Sequence, residues 1–267
     1  MSLQLKAGSP NFWGAVIIGV VLLCVISLTA LKSCQTPPCL NVDPSSNCPK
    51  CANSNYESTI ILVDQTDTLT ESQFREVEKL ILGLVEDLSE FEKVSIFAID
   101  TISDDVPLPL FEKCIPRNPR DIDEWRENPR EIRERYNKGF LDPFREDLIS
   151  TFSGGSHGTS PIIETIQSVV SNHGLDNRIT DRHLIIVSDL MQNVPGYDHY
   201  RNDFDYRAYK ATPHGKKSGI NLVGVSVQII YLWRPAMSPV DVDRHLLFWE
   251  NFIEDNGGWL RSVQKVK

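Results

Sequence analysis

Basic residues are in short supply: 27 Lys and Arg against 36 Asp and Glu leave a formal charge of −9 over 267 residues. A chain of that balance lacks the basic face that neutralises a phosphate backbone, which excludes a nucleic-acid partner. Histidine is sparse too, and its six copies are scattered without ligand spacing, so they read as structural or exposed residues. No internal repeat is visible, which excludes a repeat architecture. Charged residues make up an ordinary 24%, so global disorder is excluded as well.

Long apolar runs are absent with one exception. Phe12 to Leu31 gives twenty residues without a charge, enough to cross a hydrocarbon core, with Trp13 placed as an interfacial aromatic. A cleaved signal peptide has a shorter apolar core ending in small residues, so an uncleaved anchor is expected. Leu31-Lys32-Ser33-Cys34 faintly resembles a lipoprotein cleavage box, but Lys32 is out of pattern. Lys6 lies before the span, and Lys32 and Lys50 after it, which gives no clear charge bias. A short N-terminal tail with a large C-terminal domain fits a single-pass signal-anchor with the domain on the extracytoplasmic side.

Four of six cysteines, Cys34, Cys39, Cys48 and Cys51, follow the span, while Cys24 lies inside it and Cys114 stands alone. In an oxidising compartment the four would form two disulfides that stiffen a stalk. In a reducing one they could hold zinc through thiolates, although the gap between the two pairs is short for a zinc finger, which favours disulfides. Pro, Ser and Asn enrichment marks the same stretch as a linker. The expected organisation is a tail (1–11), an anchor (12–31), a Cys/Pro-rich linker (32–56) and a folded domain (57–267).

Within that domain, strand and helix patterns alternate. Ser58 to Asp64, Lys93 to Asp100, His183 to Ser188, Ile220 to Leu232 and Trp259 to Val266 read as strands, several with the continuous apolar runs of a sheet covered on both faces. Leu108 to Ile115 reads as an antiparallel edge strand. Phe74, Val77, Leu80, Ile81, Leu84 and Leu88 mark an amphipathic helix that opens on a Thr70–Gln73 capping box. Helices are also expected from Pro161, with Ser160 as N-cap, and from Ser238-Pro239. Arg117 to Tyr136 reads as a solvated helical segment. The fold class is therefore α/β, a doubly wound, mostly parallel sheet with helices on both faces, preceded by one transmembrane helix.

The first strand ends in Asp64-Gln65-Thr66-Asp67-Thr68. Carboxylates and hydroxyls at the carboxyl end of a buried parallel strand sit where open α/β sheets place ligands, and they suit a hard cation such as magnesium. The alternative is a plain strand-to-helix loop serving the capping box. Two further segments point to the same edge: Ser160, with Thr159 beside it, after a glycine-rich loop, and Asp189 at the end of a later strand. Together Asp64, Thr66, Thr68, Ser160 (or Thr159) and Asp189 make a six-coordinate oxygen site once waters are added.

At these residues the chain resembles the von Willebrand factor type A domain, including integrin inserted domains. Asp64-Gln65-Thr66-Asp67-Thr68 is similar to that family's Asp-x-Ser-x-Ser adhesion motif, with Thr in place of both Ser. Ser160-Pro161-Ile162-Ile163-Glu164-Thr165-Ile166 resembles its Thr-Pro-Leu-x-x-Ala-Leu run, and Val187-Ser188-Asp189 its last element, with Leu190 where Gly often follows. The resemblance implies Mg2+ or Mn2+ held partly by neutral hydroxyls and left able to accept an Asp or Glu from a partner protein. The loop Val194 to Lys217 carries Tyr197, Tyr200, Phe204, Tyr206 and Tyr209, which suit either protein recognition at the rim or packing onto the domain. Two alternatives stand beside a binding module. A magnesium-dependent phosphatase-like hydrolase would want a second Asp at the position of Thr66 and a downstream Lys. An assembly scaffold would carry a vestigial site.

Overall fold

A computed structural model describes residues 41–267, except 52–54, 67, 101–105, 124, 154–157, 174–178, 202 and 236, together with Ile17. The expected anchor, Cys34 and Cys39 lie outside the described residues, and among those described no helix is long and apolar enough to cross a membrane. Asn41 to Lys267 forms one compact unit.

A six-stranded sheet is ordered β3-β2-β1-β4-β7-β8: β1 Tyr56–Asp64, β2 Lys93–Ile99, β3 Phe111–Cys114, β4 Ile179–Ser188, β7 Val225–Leu232 and β8 Trp259–Val266. Every pairing is parallel except β2 with β3, as the edge-strand pattern predicts. A separate two-stranded ribbon joins β5 Asn193–Val194 to β6 Tyr197–Asp198, and the short helix α5 Tyr206–Ala211 follows it in the chain.

Alternation along the central strands divides the core. Ile60, Leu62, Phe97, Ile186 and Ile229 face one side, where they meet α4 Ile162–His173 and α6 Pro239–Asp255. Ile61, Val63, Ile96, Ile185 and Val187 face the other, against α1 Glu71–Glu86 and α3 Asp142–Phe152. Each fully buried aliphatic or aromatic side chain contributes about 1.5–3 kcal/mol, so both faces demand a helical cover. α1 begins on the expected capping box, in which Thr70 accepts from the Gln73 N–H and Gln73 reaches back to the Thr70 N–H. α6 begins at Ser238, which accepts from Asp241 N–H.

Three expectations change. Residues Arg117 to Tyr136 are helical in a single 3-10 turn, Pro119–Asp121, and in α2 Pro129–Tyr136, which continues through a π-turn at Asn137–Leu141 into α3. Tyr136, Phe140, Phe144 and Leu148, four residues apart, bury the inner side of this run. Ile220 and Leu222 are buried but precede β7, held instead by bonds to Asn256. Cys48 pairs with Cys114 of β3 rather than within the juxtamembrane group. Residues 41–51 thus dock on the domain, with a bridge between Val42 and Pro49 and a bond from Cys114 N–H to the Ser46 carbonyl. Cys51 is also disulfide-bonded.

Candidate metal centre

Parallel strands end together, so the register of β1 and β4, Val63 opposite Val187, sets Asp64 beside Ser188 at the carboxyl edge of the sheet. Asp64 is buried, and its carboxylate is the acceptor at the centre of the site. Oδ1 accepts from the Thr66 N–H at 2.9 Å and the Thr66 hydroxyl at 2.6 Å. Oδ2 accepts from the Ser188 hydroxyl at 2.6 Å and the Ser160 hydroxyl at 3.2 Å. Ser160 is held there by its backbone, which exchanges two hydrogen bonds with Asn193 at 2.8 and 2.9 Å. It does not act as the expected N-cap: α4 starts at Ile162, and the Thr165 N–H bonds to the Pro161 carbonyl. The side chain that was to close the helix turns to the carboxylate instead.

Asp189, just past β4, is equally buried. Its Oδ1 accepts from the Met191 N–H at 2.9 Å, and its Oδ2 lies 3.1 Å from Arg234 Nε. Arg234 sits just beyond β7 at the same edge, so the topology brings its guanidinium to the rim. Behind Asp189 the backbone takes a left-handed turn at Leu190, φ +61°. That conformation explains why glycine would suit the position. Here the leucine side chain is fully buried, and its carbonyl accepts from Trp249 Nε1–H at 3.1 Å, with His245 Nε2 at 3.0 Å and His199 Nδ1 at 3.3 Å. Burial pushes the His199 pKa down to about 3 and that of His245 down to about 4, so both rings are neutral supports.

Of the remaining expected residues, Thr68 is exposed and Thr159 half-buried. Thr159 lines a cleft of about 410 Å³ with Asn193, Gly196, Asp198, Tyr200 and Arg201. The aromatic loop divides between its two expected roles. Tyr197 and Tyr209 are buried, Phe204 and Tyr206 pack against the same core, and Tyr200 stays 65% exposed. Ser188 and Arg234 were not anticipated as members of the site. The signal for each was positional, a hydroxyl closing β4 and the first charge after the apolar run of β7.

The donor set fits a hard divalent cation. Oxygens held about 2.1 Å from magnesium at adjacent octahedral corners are about 3.0 Å apart. The Thr66 and Ser160 hydroxyls stand 2.6 and 3.2 Å from Asp64 oxygens, close to that spacing. Asp64, Thr66 and Ser160 would hold such an ion, with Asp189 at the same edge and paired to Arg234.

Neither a family model nor a curated protein sequence matches the chain. Solved structures do. One is a conserved hypothetical protein, BatB, from Bacteroides thetaiotaomicron, at 12% identity and TM-score 0.39, covering 78% of this chain and 91% of that one. A second is an aerotolerance-related membrane protein from Bacteroides fragilis NCTC 9343 with multiple mutations to serines, at 11% identity and TM-score 0.37, covering 79% and 92%. A third is the manganese-loaded TRAP protein of Plasmodium vivax, at 12% identity and TM-score 0.31, covering 66% and 57%. The likeness is structural and distant. What the rim can do follows from its own residues: neutral hydroxyls and one carboxylate at the centre, an arginine offsetting the other acid, and a cleft opening beside them.

Proposed function

We propose that this chain is a von Willebrand factor A-like, membrane-anchored binding module whose rim holds Mg2+ or Mn2+ and captures an acidic group of a partner protein. The observation that supports it most is the convergence of hydroxyls from Thr66, Ser160 and Ser188, on three separate segments, around Asp64. The ligand set is Asp64, Thr66 and Ser160, completed by Thr68 and Asp189. A bound divalent ion supplies one electrophilic position to a carboxylate. Hydroxyl ligands leave its charge incompletely neutralised, and Arg234 beside Asp189 removes a further negative charge from the rim. Tyr200 and Arg201 in the adjoining cleft then offer an aromatic surface and a second cation to the partner.

Binding is favoured over hydrolysis for a specific reason. The position where a phosphatase-like hydrolase would carry its second acid is Thr66, whose hydroxyl donates to Asp64 Oδ1 instead. The module is carried by residues 57–267, with 12–31 as anchor, 1–11 as tail and 32–56 between them. The extracytoplasmic side is supported by the Cys48–Cys114 disulfide, since such bonds persist in oxidising compartments.

Affinity capture from the native membrane tests this reading. Capture of an acidic partner should require Mg2+ or Mn2+, vanish with chelator, and vanish in Asp64→Asn. Capture that survives both chelation and the substitution would instead favour the scaffold with a vestigial site. Release of phosphate from a phosphomonoester, lost in the same variant, would favour the hydrolase.

A further inference from the structure

The opposite edge of the sheet carries a second set of ligating groups. Glu57 is the second residue of β1, Glu92 immediately precedes β2, and His183 lies within β4 directly opposite Thr59. Glu57 stands roughly 23 Å from Asp64, seven residues back along β1 at about 3.3 Å each. One oxygen of each glutamate and one ring nitrogen of His183 all lie within 4.8 Å of one another. The three open into a cavity of about 210 Å³ also lined by Thr59, Ser89 and Ser226.

Two of the three groups are already oriented from outside the trio. Glu92, only 2% exposed, accepts from the Thr59 hydroxyl at 2.6 Å and the Ser89 N–H at 3.2 Å. His183 Nδ1 lies 2.6 Å from Ser226 Oγ, which leaves Nε2 for the cavity. A metal-ligating histidine usually has its other ring nitrogen fixed by a hydrogen-bond acceptor, and here the Ser226 hydroxyl takes that place. Among the described residues neither glutamate is ion-paired with a lysine or arginine, and Arg261 is the one such cation that lines the cavity. Two adjacent carboxylates, one of them buried, repel each other, and a bound cation removes that cost.

We propose that Glu57, Glu92 and His183 bind a divalent transition-series cation, zinc in the first instance, independently of the site at Asp64. Two carboxylates with one imidazole are a mixed oxygen–nitrogen set, which suits zinc and its neighbours better than magnesium. The ion would join three adjacent strands, β2, β1 and β4, so its binding should raise the stability of the sheet.

Zinc added to the purified full chain, followed by X-ray absorption at the zinc edge and by thermal melting, tests the proposal. The expected first equivalent has a shell of nitrogen and oxygen without sulfur, and raises the melting temperature. Glu57→Gln and His183→Gln should each weaken that binding about tenfold or more, while Asp64→Asn leaves it unchanged. Ser226→Ala, which touches no proposed ligand except through His183 Nδ1, should weaken it by about tenfold and decides the matter if His183→Gln does not fold. Sulfur in the shell would place the ion at cysteines and overturn the proposal. So would an absence of zinc binding, or affinity unaltered in Glu57→Gln and Ser226→Ala.

Discussion

Arg234 Nε lies 3.1 Å from Asp189 Oδ2, a guanidinium one quarter exposed against a buried carboxylate. The pair makes half of the acidic rim electrically neutral, so a divalent ion there would face one uncompensated carboxylate, Asp64. This lowers intrinsic cation affinity and raises the pull on an incoming acid. Arg234→Gln should therefore tighten Mn2+ binding at the rim by at least about threefold while weakening capture of an acidic partner. Titration calorimetry and the capture assay on the same variant check both signs. Weaker Mn2+ binding in Arg234→Gln would mean the arginine positions Asp189 rather than neutralises it.

Leu190 holds a left-handed backbone that leucine seldom adopts, φ +61°, and hands its carbonyl to Trp249. The turn stores about 1 kcal/mol, offset by a fully buried side chain. Leu190→Ala should cost about 2–4 kcal/mol, and Leu190→Gly no more than that, because glycine relieves the turn that alanine keeps. At an ordinary buried position glycine is the worse of the two. Urea unfolding of both variants measures the order, and a Gly variant clearly less stable than the Ala variant contradicts it.

Below neutrality the domain should lose stability. His199 and His245 have pKa values depressed by burial to about 3 and about 4, whereas an unfolded histidine titrates near 6.5. The unfolded chain thus binds protons first, and stability falls as pH drops through 6.5 toward the folded values. By pH 5 the loss is on the order of 2 kcal/mol for each histidine. His245→Gln should flatten this slope between pH 6.5 and 4.5. An unchanged profile in denaturant melts would contradict the assignment.

Reduction should destabilise the domain without altering its sheet. Cys48 and Cys114 are 66 residues apart, a loop whose closure is worth about 4 kcal/mol in the chain-entropy account. Cys48→Ser with Cys114→Ser should lower the melting temperature by several degrees and leave Mn2+ binding at the rim intact. Loss of that binding in the folded double variant would show that residues 41–51 shape the site, which nothing in the geometry requires.

Much of this was legible in the chain. The apolar runs of β1, β2 and β4, the antiparallel β3 and the caps at Thr70 and Ser238 follow from local pattern, because each strand is covered on both faces and each cap is a contact within one turn. Asp64, Thr66 and Ser160 were recognisable as oxygen donors at strand and loop ends. The long-range facts were not. The partner of Cys48 cannot be read from spacing. Arg234 reaches Asp189 only because β7 packs beside β4, a neighbour relation fixed by the whole sheet. The Tyr136, Phe140, Phe144, Leu148 stripe was present but masked by surrounding charge, and a four-residue count would have found it. His183 looked isolated because its two glutamate neighbours come from elsewhere in the chain, one on β1 and one just before β2.

Manganese binding at Asp64 tests the central claim most directly. Electron paramagnetic resonance of added Mn2+, recorded in a His183→Gln background that silences the opposite edge, reports the ion at the rim alone. The predicted result is bound Mn2+ that is lost in Asp64→Asn while the circular dichroism of the fold is unchanged. Equal Mn2+ binding with and without the Asp64 carboxylate would contradict the account.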